Sequence, residues 1–254
     1  MEGNLKHNLR IHQALNNLKK LTSVLPLGLL VLGCSSPRNP AETHQMISVE
    51  HQFAEEVLLG AEYGTKTNSV RWVSAPTVSA FYANDEERLI LSETLSQINE
   101  ALTGTNVQMV EGAPNDRQSS IRVYFAPLAE LDSIAQSEGF RYITGNLGLV
   151  WNFWNPSHEI VRSVVLIAKD KLKGQMLKHI VLEELTQSLG LMDDSALFQD
   201  SVFYSSEGDG GGATRLSIQD RKLIRFFYSH LRPGDGPNEL FDAFSGYWND
   251  TVVE

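Results

Sequence analysis

The sequence predicts a single α+β domain built around one sheet, and three observations lead there. Segments rich in β-branched and aromatic residues alternate with segments of helical apolar spacing. The order runs strand, helix, strand, strand, helix, strand, strand before a helical second half, which is not the regular βαβ alternation of a doubly wound sheet. The chain has 254 residues, 42% hydrophobic and 20% charged, enough for one well-buried core.

The elements follow in order. His51 to Tyr63 forms a short helix, and Ser69 to Asn84 a strand that Pro76 interrupts. Asp85 caps a helix reaching about Leu102, with Leu91, Leu95, Ile98 and Leu102 on one face and Gly104 at its end. Val107–Glu111 and Ile121–Phe125 are strands, Leu128–Ser137 a short helix, and Gly148–Trp154 and Ile160–Ala168 two further strands joined at Asn155-Pro156. Lys171–Leu191 is the central helix. Leu216–Leu231 is another, opened by the capping pair Ser217 and Asp220 and stopped by Pro233-Gly234, and Asn238–Trp248 is the last. The loop Gly208–Gly212 lacks the Lys-Ser/Thr and the strand–helix setting of a phosphate-binding loop.

The first 34 residues differ in kind. Lys6, Arg10, Lys19 and Lys20 against Glu2 give them a net charge of +3, while the remainder carries −13 of the whole-chain −10. An apolar run, Leu21–Gly33, ends at Cys34. It is too short for a spanning helix, which needs roughly 20 apolar residues. An acidic mature domain argues against nucleic acid as a partner. With Cys34 committed, no cysteine is left for a disulfide, a metal site or a thiol nucleophile.

The central helix holds the chemistry. Its apolar stripe runs Leu177, Ile180, Val181, Glu184, Ser188, Leu191, so Glu184 falls inside the buried face. A buried carboxylate must be protonated, hydrogen-bonded or paired with a cation. Glu183 and Gln187 are four apart and project together, with His179 one turn earlier on the same side. Elsewhere, His158 belongs to a loop, His230 sits at a helix end, and Trp151, Phe153 and Trp154 are expected to pack in the core before they serve as an exposed aromatic ridge. Asp193-Asp194-Ser195 reads equally well as a plain turn.

Two resemblances follow from these residues. Val31-Leu32-Gly33-Cys34 resembles the bacterial lipobox, which implies a signal peptide over 1–33, a lipidated tether over 34–50 starting at Cys34, and a domain over 51–254. That origin implies a cell-envelope location, membrane attachment through the lipid, and outer-membrane sorting where such a membrane exists. The central helix resembles the zincin motif, in which two His four apart hold zinc and the Glu after the first activates the bound water. In its longer metzincin form the ligand positions fall on Glu183, Gln187 and Asp193, the base on Glu184 and the turning glycine on Gly190. The base and the glycine match, and all three histidines are replaced. No clear Met-turn is present, Ser201–Ser205 being the segment in its place. This likeness implies a zincin-like fold, a mixed sheet packed on helices with a central motif helix. The combination of Glu183-Glu184-x-Thr186-Gln187-x-Leu-Gly190-Leu with Leu216-Ser-x-x-Asp220 and Leu231-Arg-Pro-Gly234 also resembles a bacterial family of secreted proteins of unknown function.

Three functions are open to such a chain. In the first, the cleft is degenerate and binds a peptide, a glycan or an envelope protein without cleaving it. In the second, the protein is an active metal-dependent peptidase with Glu184 as general base and Glu183, Gln187 and Asp193 as oxygen ligands of one divalent ion, a set better suited to Ca²⁺, Mg²⁺ or Mn²⁺ than to zinc. The third, a metal-free carboxylate hydrolase, needs Asp193 or Asp194 as partner to Glu184, because adjacent helical residues diverge by ~100°.

Overall fold

The computed structural model describes residues 48–64, 66–205 and 211–253; the expected signal peptide, Cys34 and most of the tether lie outside the described residues. A compact unit runs from Val49 to the C-terminus. Among the described residues no helix is long and apolar enough to cross a membrane.

The elements are α1 (Val49–Leu59), β1 (Thr77–Phe81), α2 (Asp85–Ala101), β2 (Val110–Glu111), β3 (Ile121–Ala126), α3 (Leu131–Ser137), β4 (Gly148–Trp154), β5 (Ile160–Ala168), α4 (Gly174–Gln187), α5 (Ile218–His230) and α6 (Pro237–Tyr247). The five strands form one mixed sheet in the order β2-β1-β3-β5-β4. All neighbours are parallel except β4 and β5, which pair antiparallel through the tight Asn155–Glu159 connection. The α+β class, the mixed sheet and the central motif helix expected from the sequence are all present.

Both faces of the sheet are covered, which explains why β5 is nearly continuous Val, Ile and Leu. The larger core lies under α1, α2, α4 and α5 and includes Phe53, Leu91, Val123, Val165, Val181, Leu185, Phe203 and Phe227. The smaller lies under α3 and includes Tyr124, Leu131, Phe140, Leu149, Val164 and Leu166.

Three expectations shift in detail. Only Thr77–Phe81 of the first predicted strand enters the sheet, because Pro76 cannot donate to a ladder. The stretch before it makes one bridge, Arg71 to Glu159. The second strand shrinks to Val110–Glu111 at the sheet's edge. The cap of α2 is Asn84 rather than Asp85: its side chain accepts from the Glu87 N–H at 2.9 Å, and Glu87 accepts from the Asn84 N–H at 2.8 Å. Asn84→Ala removes half of this reciprocal pair, and equilibrium urea unfolding should register a loss of about 1 kcal/mol.

Candidate functional site

The site is assembled where α4 leans on the edge strand β4. Gly148 makes the close approach feasible: a Cβ there would stand 2.4 Å from both Glu184 Oε1 and Ile180 Cγ2. Glu184 is 8% exposed, as its place in the apolar stripe requires. Among the described residues no strand pairs with the β4 edge that faces away from β5. Ala168 N–H donates to Leu147 O, so the alternation of an antiparallel pair turns the peptide groups of Gly148, Val150 and Asn152 outward along that open edge. The Val150 N–H is directed at Glu184 and favours its ionised form.

That preference is outweighed. Burial raises Glu184 well above the usual carboxylate range, and the charges of Glu62 and Asp194 push the same way. Glu183 is raised by burial and by Asp194, Glu184 and Glu62. Asp194 is raised by burial, Glu62 and Asp193, against a hydrogen bond from Ser205. Among the described residues, the charged groups that raise these three acids are other carboxylates. Tyr63 hydrogen-bonds Glu62 and accepts from Asn146 Nδ2 at 2.8 Å, and burial raises its phenol, which therefore stays neutral.

His179 closes one side and is 1% exposed. Its Nδ1 lies 2.8 Å from Ala213 O, so that nitrogen carries the proton and Nε2 presents a lone pair. Nε2 makes no hydrogen bond among the described residues and lies 3.4 Å from Glu183 Oε2, the contact that their spacing of four predicts.

Of the three motif positions expected as ligands, Asp193 stands apart. Glu183 faces His179 and keeps 15% side-chain exposure. Gln187 is buried, and its carbonyl accepts from Asn152 Nδ2 at 3.1 Å. Asp193 turns the other way: its Oδ2 stands 2.1 Å from where a Gly60 Cβ would be, and Lys66 lies beside it. The cause is backbone pairing on either side of Met192, whose N–H bonds Val57 O and whose carbonyl accepts from Glu62 N–H. In this extended stretch Asp193 and Asp194 point to opposite sides. Asp194, one residue later than the motif position, is the acid that acts on Glu183. Among the described residues no group of three or more His, Cys, Asp or Glu is arranged to hold a metal ion.

Lys66 locks this arrangement. Its Nζ donates to Leu58 O at 2.7 Å and Gly190 O at 3.0 Å, joining the ends of α1 and the motif helix. Burial lowers its pKa to about 7, with Asp193 opposing. Gly190 turns the chain at φ +103°, the role its position predicts.

The turn Ser201–Tyr204 is anchored on Asp220. That fully buried carboxylate accepts from Ser201 Oγ (2.6 Å), Val202 N–H (3.0 Å) and Ser217 N–H (2.9 Å). The turn then delivers Ser205 to Asp194. Other residues flagged in the sequence are structural. Trp151 stacks on Phe140 at 5.3 Å, Arg162 covers the Phe153 ring at 3.8 Å, and His230 stacks on Tyr247. Trp154 is exposed.

Sequence reasoning missed Glu62, Tyr63 and Lys66. They lie in a short segment after α1 without periodicity or motif, and only the pairing with Met192 brings them to α4.

No curated protein matches the chain. Among solved structures, one titled "Structure of myroilysin" is 14% identical, with a TM-score of 0.40, covering 64% of this chain and 97% of that one. A second, "Crystal structure of myroilysin", is 14% identical, with a TM-score of 0.38, covering 63% and 86%. Residues 48–244 match the family described as "Protein of unknown function (DUF2927)", and the chain belongs to that family.

Proposed function

We propose that this chain is a lipid-anchored envelope protein whose metallopeptidase-like cleft binds an extended peptide segment along the open edge of β4 and does not cut it. The observation that carries the reading is the outward-directed peptide groups of Gly148 and Asn152, which flank Val150 beside Glu184. An unpaired edge in a cleft offers main-chain hydrogen bonds to an added strand. The anchor rests on Val31-Leu32-Gly33-Cys34 and the basic segment before it.

The residues present do not fit a zincin metal. Gln187 offers a neutral amide, and Asp193 is held toward Gly60 and Lys66. Asp194 comes to Glu183 without completing a set. The second reading, a metal-dependent peptidase with Glu184 as base, draws on one observation: burial and the neighbouring acids raise Glu184 well above the usual carboxylate range, the direction that makes a carboxylate a stronger base.

One experiment separates them. The full chain in detergent is incubated with an extended-peptide library, first free of added metal and then with Zn²⁺, Ca²⁺ or Mn²⁺, and the peptides are recovered by mass. The binding reading expects retained, intact peptides under all conditions. Metal-dependent fragments that vanish in Glu184→Gln would establish the peptidase.

A further inference from the structure

We infer that the acidic cluster of Glu62, Glu183, Glu184 and Asp194, with His179 at its side, is a pocket for the ammonium or guanidinium of a Lys or Arg side chain on the peptide that β4 takes up. This rests on the peptide-binding reading above.

Glu183 Oε2 and His179 Nε2 face each other at 3.4 Å. With Nδ1 of His179 donating to Ala213 O, the neutral ring presents Nε2 as an acceptor, and an ionised Glu183 facing it supplies no donor. His179 is nearly fully buried, and its Nε2 finds no hydrogen bond among the described residues. Asp194 Oδ1 is likewise buried without a donor among them. His179 and Asp194 belong to separate elements that both border Glu183, and each carries a buried acceptor without a donor among the described residues, which costs free energy until a donor arrives.

The nearby cation does not serve. Lys66 donates two of its three hydrogens to Leu58 O and Gly190 O and stands on the Asp193 side of the extended stretch.

The spacing decides which kind of cation fits. A metal ion draws its ligands to within roughly 2.0–2.6 Å of a single point. The described His, Asp and Glu side chains are not grouped that tightly. An ammonium or guanidinium reaches its acceptors over about 2.7–2.9 Å and distributes several donors in different directions, so it can satisfy a wider ring. Position agrees. Gly148 lacks a side chain where Glu184 approaches, so a ligand residue paired on the edge there has its own side chain beside the acids. Glu183 is the partly exposed member through which it enters.

The test uses the full chain in detergent and N-acetylated, C-amidated octapeptides that differ only in Lys, Arg, norleucine or Glu at one scanned position. Lys and Arg peptides should bind at least about tenfold more tightly than the norleucine peptide, the return expected from one desolvated charge-assisted contact. In Glu183→Gln combined with Asp194→Asn, that preference over the norleucine peptide should fall below about twofold. Equal binding of Lys and norleucine peptides by the natural chain overturns the pocket and leaves the peptide-binding reading standing. If no peptide binds, that reading fails, and N-acetyl-lysine methylamide probes the pocket separately. A saturable shift of the His179 ring resonances that is lost in Glu183→Gln supports the pocket, and an unmoved spectrum overturns it. A Ca²⁺, Mn²⁺ or Zn²⁺ ion bound stoichiometrically and displaced by the Lys peptide would also overturn it, in favour of a metal site.

Discussion

Gly190→Ala should leave little folded protein. Gly190 sits at φ +103°, where a side chain is strained, and a Cβ there would come within 1.9 Å of the Val70 carbonyl oxygen. That oxygen is backbone and cannot swing aside. The same residue presents its own carbonyl to Lys66, so displacing it also loosens the joint between α1 and α4. The combined loss should exceed about 4 kcal/mol, a large part of a domain's usual 5–15. Urea unfolding or soluble yield measures it. Gly246→Ala is the matched control: Gly246 lies within α6 with nothing within 4 Å of an added Cβ, so that variant should gain about 0.5–1 kcal/mol. Equal effects at the two positions would refute the account of the Gly190 turn.

Neutralising the acidic cluster should do the opposite and stabilise the fold. The folded-state pKa values of Glu183, Glu184 and Asp194 are raised, so the folded chain holds protons that the unfolded chain has released. Stability contributed by these groups is therefore full below the ordinary carboxylate values near 4 and is lost as pH climbs through the raised ones. Glu183→Gln with Asp194→Asn removes two of the three. The variant should match the natural chain at about pH 4 and be more stable by about 2 kcal/mol or more at pH 8, where the natural cluster is charged and buried. Lys66 has the reverse sign. Its folded value of about 7 lies below the unfolded 10.5, so its contribution improves as pH rises between them. Both proteins keep Lys66, so the difference between their unfolding curves isolates the acids, together with Glu62, Tyr63, His179 and Asp193 around them. A variant no more stable than the natural chain at pH 8 would mean that the acids are already compensated.

Much of this was legible beforehand because it is local. The bounds of β4 and β5 follow from their apolar runs and from Asn155-Pro156 between them. The burial of Glu184 follows from its place in a helical stripe, and the Ser217–Asp220 cap from a spacing of three. What failed depended on contacts between distant segments. The motif arithmetic placed an acid at 193, but the backbone pairing of Met192 with Val57 and Glu62 decides which side chain turns toward α4, and it selects Asp194. Nothing in the local sequence of Glu62 or Lys66 announces a role at α4. Asp220 was visible as a helix cap, yet its second task, holding the Ser201–Tyr204 turn under the site, needs a separation that no local pattern encodes. The family likewise emerges from the length of the match, residues 48–244, rather than from the motif helix alone.

The central claim is that an extended peptide lies on the open edge of β4 and leaves uncut. Amide hydrogen exchange of the full chain, with and without a bound library peptide, tests it most directly. The account predicts slowed exchange at the outward amides of Gly148 and Asn152, with the peptide recovered intact. Unchanged exchange along β4, or a peptide recovered as two fragments, would contradict it.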